Sequence, residues 1–278
     1  MKKEAKVIIL SGQSNACGVG HARFLNLHYP QEKIDEFYRG YDKVQINYYS
    51  HDIKSDGFVP TTVGCTERSK ATVGPEVGMA EYLTEKYPDE EFFIIKACVG
   101  GTSIFGGDFR SPSLGEIGDY EATKHSTIGG VHVPGWCYNE LIHKIQESVD
   151  ILEARGYEPK FYAFCWMQGE SESCGLDMTN QYIHDYDLFI GDVVSNFPEY
   201  FKDCLFIDAA IDPHWPFAKE MNEYKREYAT KAKNRRFVDT VAAGLTTKNE
   251  PIGCPDIAHY DSDCTIKLGR LFLEAAEF

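Results

Sequence analysis

Apolar residues in this chain come in continuous runs, bounded by small and polar residues, rather than in alternation. Such runs stand out at 6–11 (KVIILS), 91–101 (EFFIIKACVGG), 160–169 (KFYAFCWMQG) and 204–212 (CLFIDAAID). A weaker one covers 43–50 (KVQINYYS), and a short one at 236–244 (RFVDTVAAG) suggests a sixth strand. A strand that is apolar on both sides is covered on both faces, the situation of a parallel sheet.

Between these runs the period changes to that of a helix. In 135–157, Leu141, Ile145, Val149 and Leu152 share one face, and Gly156 stands where the helix should stop. Segment 74–88 has Pro75 at its first turn and Pro88 just beyond its end. Further helices are predicted over 179–198, 218–233 and 262–276. Strand–helix alternation of this kind predicts an α/β protein, a three-layer αβα sandwich around a central, mainly parallel sheet. No composition break or linker divides the chain, so one domain over 1–278 is expected. Residues 105–134 are rich in glycine and lack periodicity; a loop of that length in a compact enzyme commonly walls a binding site.

Composition removes several classes of partner. The net charge is −15 over 278 residues. No basic patch is present, which argues against nucleic acid and anionic membrane surfaces as partners. No apolar stretch is long enough to span a bilayer. The four-residue apolar run near the N-terminus is too short for a secretory signal, so a cytoplasmic location is expected. Nine cysteines are scattered without a C-x-x-C pair, and several lie in apolar strands. They read as buried thiols rather than a disulfide framework or zinc site.

The chemistry is concentrated where strands end. Ser14 follows the first run in G-Q-S-N-A, which is similar to a nucleophile elbow but lacks its second glycine. At a helix start an isolated serine reads first as an N-cap, and as a displayed nucleophile only with partners elsewhere in the chain. Most of the nine histidines sit in helices (His143, His184) or polar loops (His28, His51). His259 differs, with Asp256 three residues earlier in a turn that precedes the last helix. A D-x-x-H turn lets the carboxylate take the imidazole Nδ1–H and leaves Nε2 for a serine. The paired glycines of KACVGGTS (96–103) let backbone N–H groups approach a ligand, and Gln168 of WMQGE offers an amide donor.

Taken together, GQSN, GPE, GGTS, WMQGE and the late D-x-x-H resemble the SGNH hydrolases. Their order from residue 12 to 259 is most similar to the carbohydrate-acetylesterase branch, which holds sialate O-acetylesterase-like and acetylxylan esterase-like proteins. The resemblance implies a flavodoxin-like fold with a five-stranded sheet and no metal or cofactor. It implies Ser14 as nucleophile, His259 as general base and Asp256 as its partner. Ser14 N–H, Gly101 N–H and the Gln168 amide would form the oxyanion hole, and Gln13, Glu76 and Glu170 would support the loops. The expected activity is removal of O-acetyl groups from small saccharides through an acyl-enzyme. The alternatives are a lipase, thioesterase or peptidase on the same scaffold, and a catalytically silent carbohydrate-binding protein. Glu172 departs from the pattern, standing where an aspartate is usual. Trp136, Trp215, His125 and Arg110 lie in segments that match no pattern and are candidates for substrate selection.

Overall fold

The structure is a computed structural model that describes residues 2–50, 53–66, 71–105, 107–115, 134–251 and 256–277. In chain order the elements are β1 (Lys3–Gly12), α1 (Ser14–Cys17), β2 (Gly20–His21), α2 (Gln31–Arg39), β3 (Tyr41–Ser50), β4 (Ile53–Lys54), β5 (Val59–Thr61), β6 (Thr72–Val73), α3 (Pro75–Lys86) and β7 (Phe92–Cys98). They continue with α4 (Trp136–Ala154), β8 (Tyr157–Met167), α5 (Leu176–Asn196), β9 (Leu205–Ala209), α6 (Ala218–Ala229), β10 (Arg235–Val238) and α7 (Ser262–Ala275).

The main sheet runs β10-β9-β8-β1-β7-β3-β4, with β5 paired to β3. Its pairings from β10 through β3 are all parallel, and only β4 and β5 run antiparallel. The five strands β7-β1-β8-β9-β10 stand in the flavodoxin-like order 2-1-3-4-5. The expected five-stranded core is therefore present but extended: β3 adds a sixth parallel strand outside β7, with β4 and β5 at that edge. The short run at 236–244 does join the sheet, over Arg235–Val238. The nine-residue α2 was not anticipated, and the helix expected at Ser14 is the single turn α1.

Continuous apolar runs became strands buried on both faces. Val7, Ile8, Ile9 and Leu10 are fully buried, and all seven residues of β7 are buried. Complete burial of each Val, Leu, Ile or Phe side chain among them stabilises by about 1.5–3 kcal/mol. Helices cover both faces. On one side α3 and α7 cross closely, because Gly78 and Gly269 carry no side chain. A Cβ on Gly78 would lie 1.8 Å from Ile266 O, and one on Gly269 1.8 Å from Pro75 O. On the other side α4 lies against β3, β7 and β8, and α5 packs on α6. Leu141, Ile145, Val149 and Leu152 of α4 all face the core, as their spacing predicts.

Of the eight described cysteines all are free thiols; seven are buried and Cys174 is exposed. Among the described residues no helix is long and apolar enough to cross a membrane.

Candidate active site

The chain changes direction across the sheet between β1 and β8, the switch point at which open α/β sheets bind ligands. Ser14 follows β1 and Gln168 follows β8, one on each side of it. Gly12 makes this approach feasible. It has φ +136°, and a Cβ there would lie 2.0 Å from Met167 O. The same carbonyl accepts the Gln13 N–H at 3.0 Å. Gln13, not Ser14, is the N-cap of α1, and no side chain caps that turn. Ser14 is 8 % exposed, and among the described residues its Oγ has no hydrogen-bond partner. The structure thus gives the serine no capping role.

Asn15 links this turn to the other end of the chain. Its Oδ1 accepts the Tyr260 N–H at 3.1 Å, and its Nδ2 donates to Ala258 O at 3.3 Å and Glu170 Oε1 at 2.8 Å. His259 lies between the two backbone groups that Asn15 holds. Asp256 Oδ2 meets His259 Nδ1 at 2.6 Å, the arrangement that leaves Nε2 free. The hydrogen bond to His259 holds the Asp256 carboxyl below its usual range, against the effect of its partial burial. No direct hydrogen bond joins Ser14 Oγ to His259, a contact that commonly tightens only when substrate is bound.

The Gly101 loop closes the site from β7. Gly101 has φ +69°, and among the described residues no acceptor takes its N–H. The Ser14 N–H is likewise free. The Gln168 amide is not. It is fully buried and donates to Gln13 Oε1 at 3.3 Å, to Thr102 O at 3.3 Å, and to the Glu172 carboxylate. Its geometry ties the Gly101 loop to the Ser14 turn rather than offering a free donor. Gln13 Oε1 also takes the Ser171 N–H at 3.4 Å.

Glu172, the departure from pattern, is the hub of this loop. Fully buried, it accepts Ser103 Oγ at 2.8 Å, Ile104 N–H at 2.6 Å, Phe105 N–H at 3.3 Å and the Gln168 amide. Burial pushes its carboxyl pKa up, while these donors oppose the shift. Glu172→Ala leaves several buried donors without an acceptor. We expect kcat to fall about 10²-fold, the scale of losing one oxyanion donor. Glu172→Gln, which retains one acceptor oxygen, should recover part of that loss. Turnover of p-nitrophenyl acetate by both variants, measured beside their unfolding temperatures, checks this; equal kcat in wild type and Glu172→Ala would remove the role.

Two buried lysines brace the strand ends, and sequence reasoning missed both. Lys96 of β7 is fully buried, donating to Glu76 Oε2 at 2.7 Å, Cys17 O at 2.7 Å and Cys65 O at 2.8 Å. It thereby holds the end of the one-turn helix that begins with Ser14. Lys225 of α6 does the same under β8, donating to Gln168 O, to Ala209 O at 2.8 Å and to Asp208 Oδ1 at 2.9 Å. Burial pushes the Asp208 carboxyl up to about 6, although Lys225 opposes it. A lone charge inside an apolar strand was the available signal for Lys96 and Asp208. Lys225, in a helix rich in charge, had none.

Glu170 is fully buried with Asn15 as its partner, and burial raises its pKa. Trp136 Nε1 donates to Asp108 Oδ1 at 3.0 Å, and Arg110 bonds carbonyls of its own loop. His125, with residues 106 and 116–133 of the glycine-rich segment, lies outside the described residues. Away from the site, His28 Nε2 lies 3.3 Å from Glu250 Oε1 and 3.6 Å from Asp263 Oδ1. These groups have the spacing of metal ligands, but Glu250 Oε1 already accepts the N–H and hydroxyl of Ser262.

Residues 4–277 match a protein family described as carbohydrate esterase, sialic acid-specific acetylesterase. The chain belongs to this family. That membership makes it a carbohydrate acetylesterase of the SGNH type. The fold is shared with a protein of Arabidopsis thaliana at 19% identity, with a TM-score of 0.65 over 99% of this chain and 98% of that one. It is also shared with NanS, at 16% identity and a TM-score of 0.65 over 100% and 98% of the two chains. A carbohydrate acetylesterase from Xanthomonas citri is 14% identical, with a TM-score of 0.61 over 98% of this chain and 55% of that one. A search of curated proteins finds no match to the chain.

Proposed function

We propose that this acetylesterase removes O-acetyl groups from saccharides by a serine acyl-enzyme route. The observation that carries the reading is the Asp256–His259 pair at 2.6 Å, whose loop is pinned by Asn15 to the turn displaying Ser14. His259 Nε2 takes the Ser14 proton as Oγ attacks the acetyl carbonyl. Negative charge on the carbonyl oxygen is met by the two uncommitted backbone donors, Ser14 N–H and Gly101 N–H. The sugar oxygen leaves with the proton from His259, and water activated by the same imidazole releases acetate.

Gln168 has a different role in this scheme from the direct oxyanion donor expected from its motif. With its amide shared among Gln13, Thr102 and Glu172, it positions the Gly101 donor against Ser14. Gln13, Glu76 and Glu170 act as supports of the same kind, Glu76 through Lys96 and Glu170 through Asn15.

Acetate release from acetylated xylan, O-acetylated sialic acid and simple acetylated sugars, run beside p-nitrophenyl esters of increasing chain length, tests the reading. Acetyl esters should be turned over fastest, with rates falling as the acyl chain lengthens. Rates that rise with chain length would assign the site to a lipase or thioesterase.

A further inference from the structure

A second Asp–His pair lies on the same rim of the sheet, and the scheme above does not use it. Beyond β9 the chain forms the turn DPHWP, in which Asp212 Oδ1 accepts both the His214 N–H at 3.0 Å and His214 Nδ1 at 2.8 Å. With its proton on Nδ1 and given to Asp212, the imidazole presents Nε2 as an acceptor. The Trp215 ring lies against it, with centroids 4.8 Å apart. Its indole N–H is shielded from solvent and has no acceptor among the described residues.

The turn is held from both sides by the loops of the active site. Ala210 O, just before it, accepts the hydroxyl of Tyr260, the residue after His259, at 3.3 Å. Phe217 N–H, just after it, donates to Ser173 O at 3.0 Å, in the turn that carries Glu172. Asn222 of α6 clamps Ile211 through its N–H and C=O, at 2.8 and 2.9 Å. Such rigid support for a histidine with one uncommitted nitrogen is what a ligand contact requires. Buried donors without partners are uncommon in native proteins, and each calls for an explanation.

We propose that Asp212, His214 and Trp215 form a saccharide subsite beside Ser14, His214 Nε2 accepting a hydrogen bond from a sugar hydroxyl and Trp215 supplying a ring wall and an N–H. Asp212 is the positioning residue that sets the imidazole. The chemistry suits a sugar ring, which offers hydroxyl donors and acceptors at its edge and C–H groups on its face. The subsite rests on the carbohydrate reading given above.

The test compares kcat/KM for acetylated methyl xyloside with kcat/KM for p-nitrophenyl acetate, which carries no sugar hydroxyl. His214→Asn keeps a donor for Asp212 but lacks Nε2, and the ratio should fall roughly tenfold, mainly through KM. His214→Gln, whose amide reaches nearer the Nε2 position, should restore part of the ratio. Trp215→Phe keeps the ring and loses the N–H, and it should lower the ratio independently of how the His214 variants fold. An unchanged ratio in His214→Asn and Trp215→Phe overturns the subsite. Failure of the carbohydrate reading would show differently, as a wild-type protein that cleaves p-nitrophenyl acetate and no acetylated sugar.

Discussion

Ser14→Ala is expected to lower kcat about 10⁴–10⁶-fold while leaving the unfolding temperature close to that of wild type. The structure explains why the two quantities should separate. Ser14 Oγ has no hydrogen-bond partner among the described residues, and Gln13 rather than Ser14 is the cap of α1, so removing the hydroxyl breaks no fold contact. The remaining support for a bound ester, the Ser14 and Gly101 N–H groups, survives in the variant. Those groups account for the residual rate over water. His259→Ala should cost a similar factor, and the double variant no more than either single one, because nucleophile and base act as a unit. Additive losses, or a Ser14→Ala protein that cleaves p-nitrophenyl acetate at wild-type rate, would remove Ser14 from the mechanism.

Lys96→Met should be the most damaging substitution to stability, at about 3–5 kcal/mol. Glu76 and Lys96 are both fully buried, and the lysine also donates to Cys17 O and Cys65 O. Its removal leaves a carboxylate in an apolar interior and frees the end of the Ser14 turn. Burial already raises the Glu76 pKa, with Lys96 as the opposing influence. Without Lys96 the folded state holds a proton that the unfolded state has lost. The variant's stability should therefore fall as pH rises above the ordinary carboxylate range. Glu76→Gln added to Lys96→Met should restore part of the loss and flatten the pH dependence. Urea unfolding at several pH values measures both effects; a penalty below about 1 kcal/mol would show that the pair is not a brace.

Strand positions and helix faces were legible because they are encoded locally. Val7–Leu10 and β7 form unbroken apolar runs, and the α4 face repeats at helical spacing, so each declares its burial within a few residues. The helix α2 was missed because its apolar positions, chiefly Ile34 and Phe37, are few among charged neighbours. Of the proposed site, Ser14 and Gln168 stood out in the sequence because their motifs directly follow the apolar runs that form β1 and β8. Glu172 was visible only as an irregularity, and its part in holding the Gly101 loop needed Ser103, Ile104 and Gln168 placed around it.

By itself, then, the sequence determined that this is a mainly parallel α/β protein with polar and glycine motifs after its strands. Period and composition act over a single element, and the motifs each lie within one turn. Tertiary structure alone decided the strand order, the place of β3 outside β7, and the meeting of residue 15 with residue 260. It also turned Gln168 from an offered donor into a bridge, and set Lys96 and Lys225 beneath the two strand ends. A hydrogen bond between groups 245 residues apart leaves no periodic trace in either segment. It exists only once packing has brought the two ends of the chain to the same edge of the sheet.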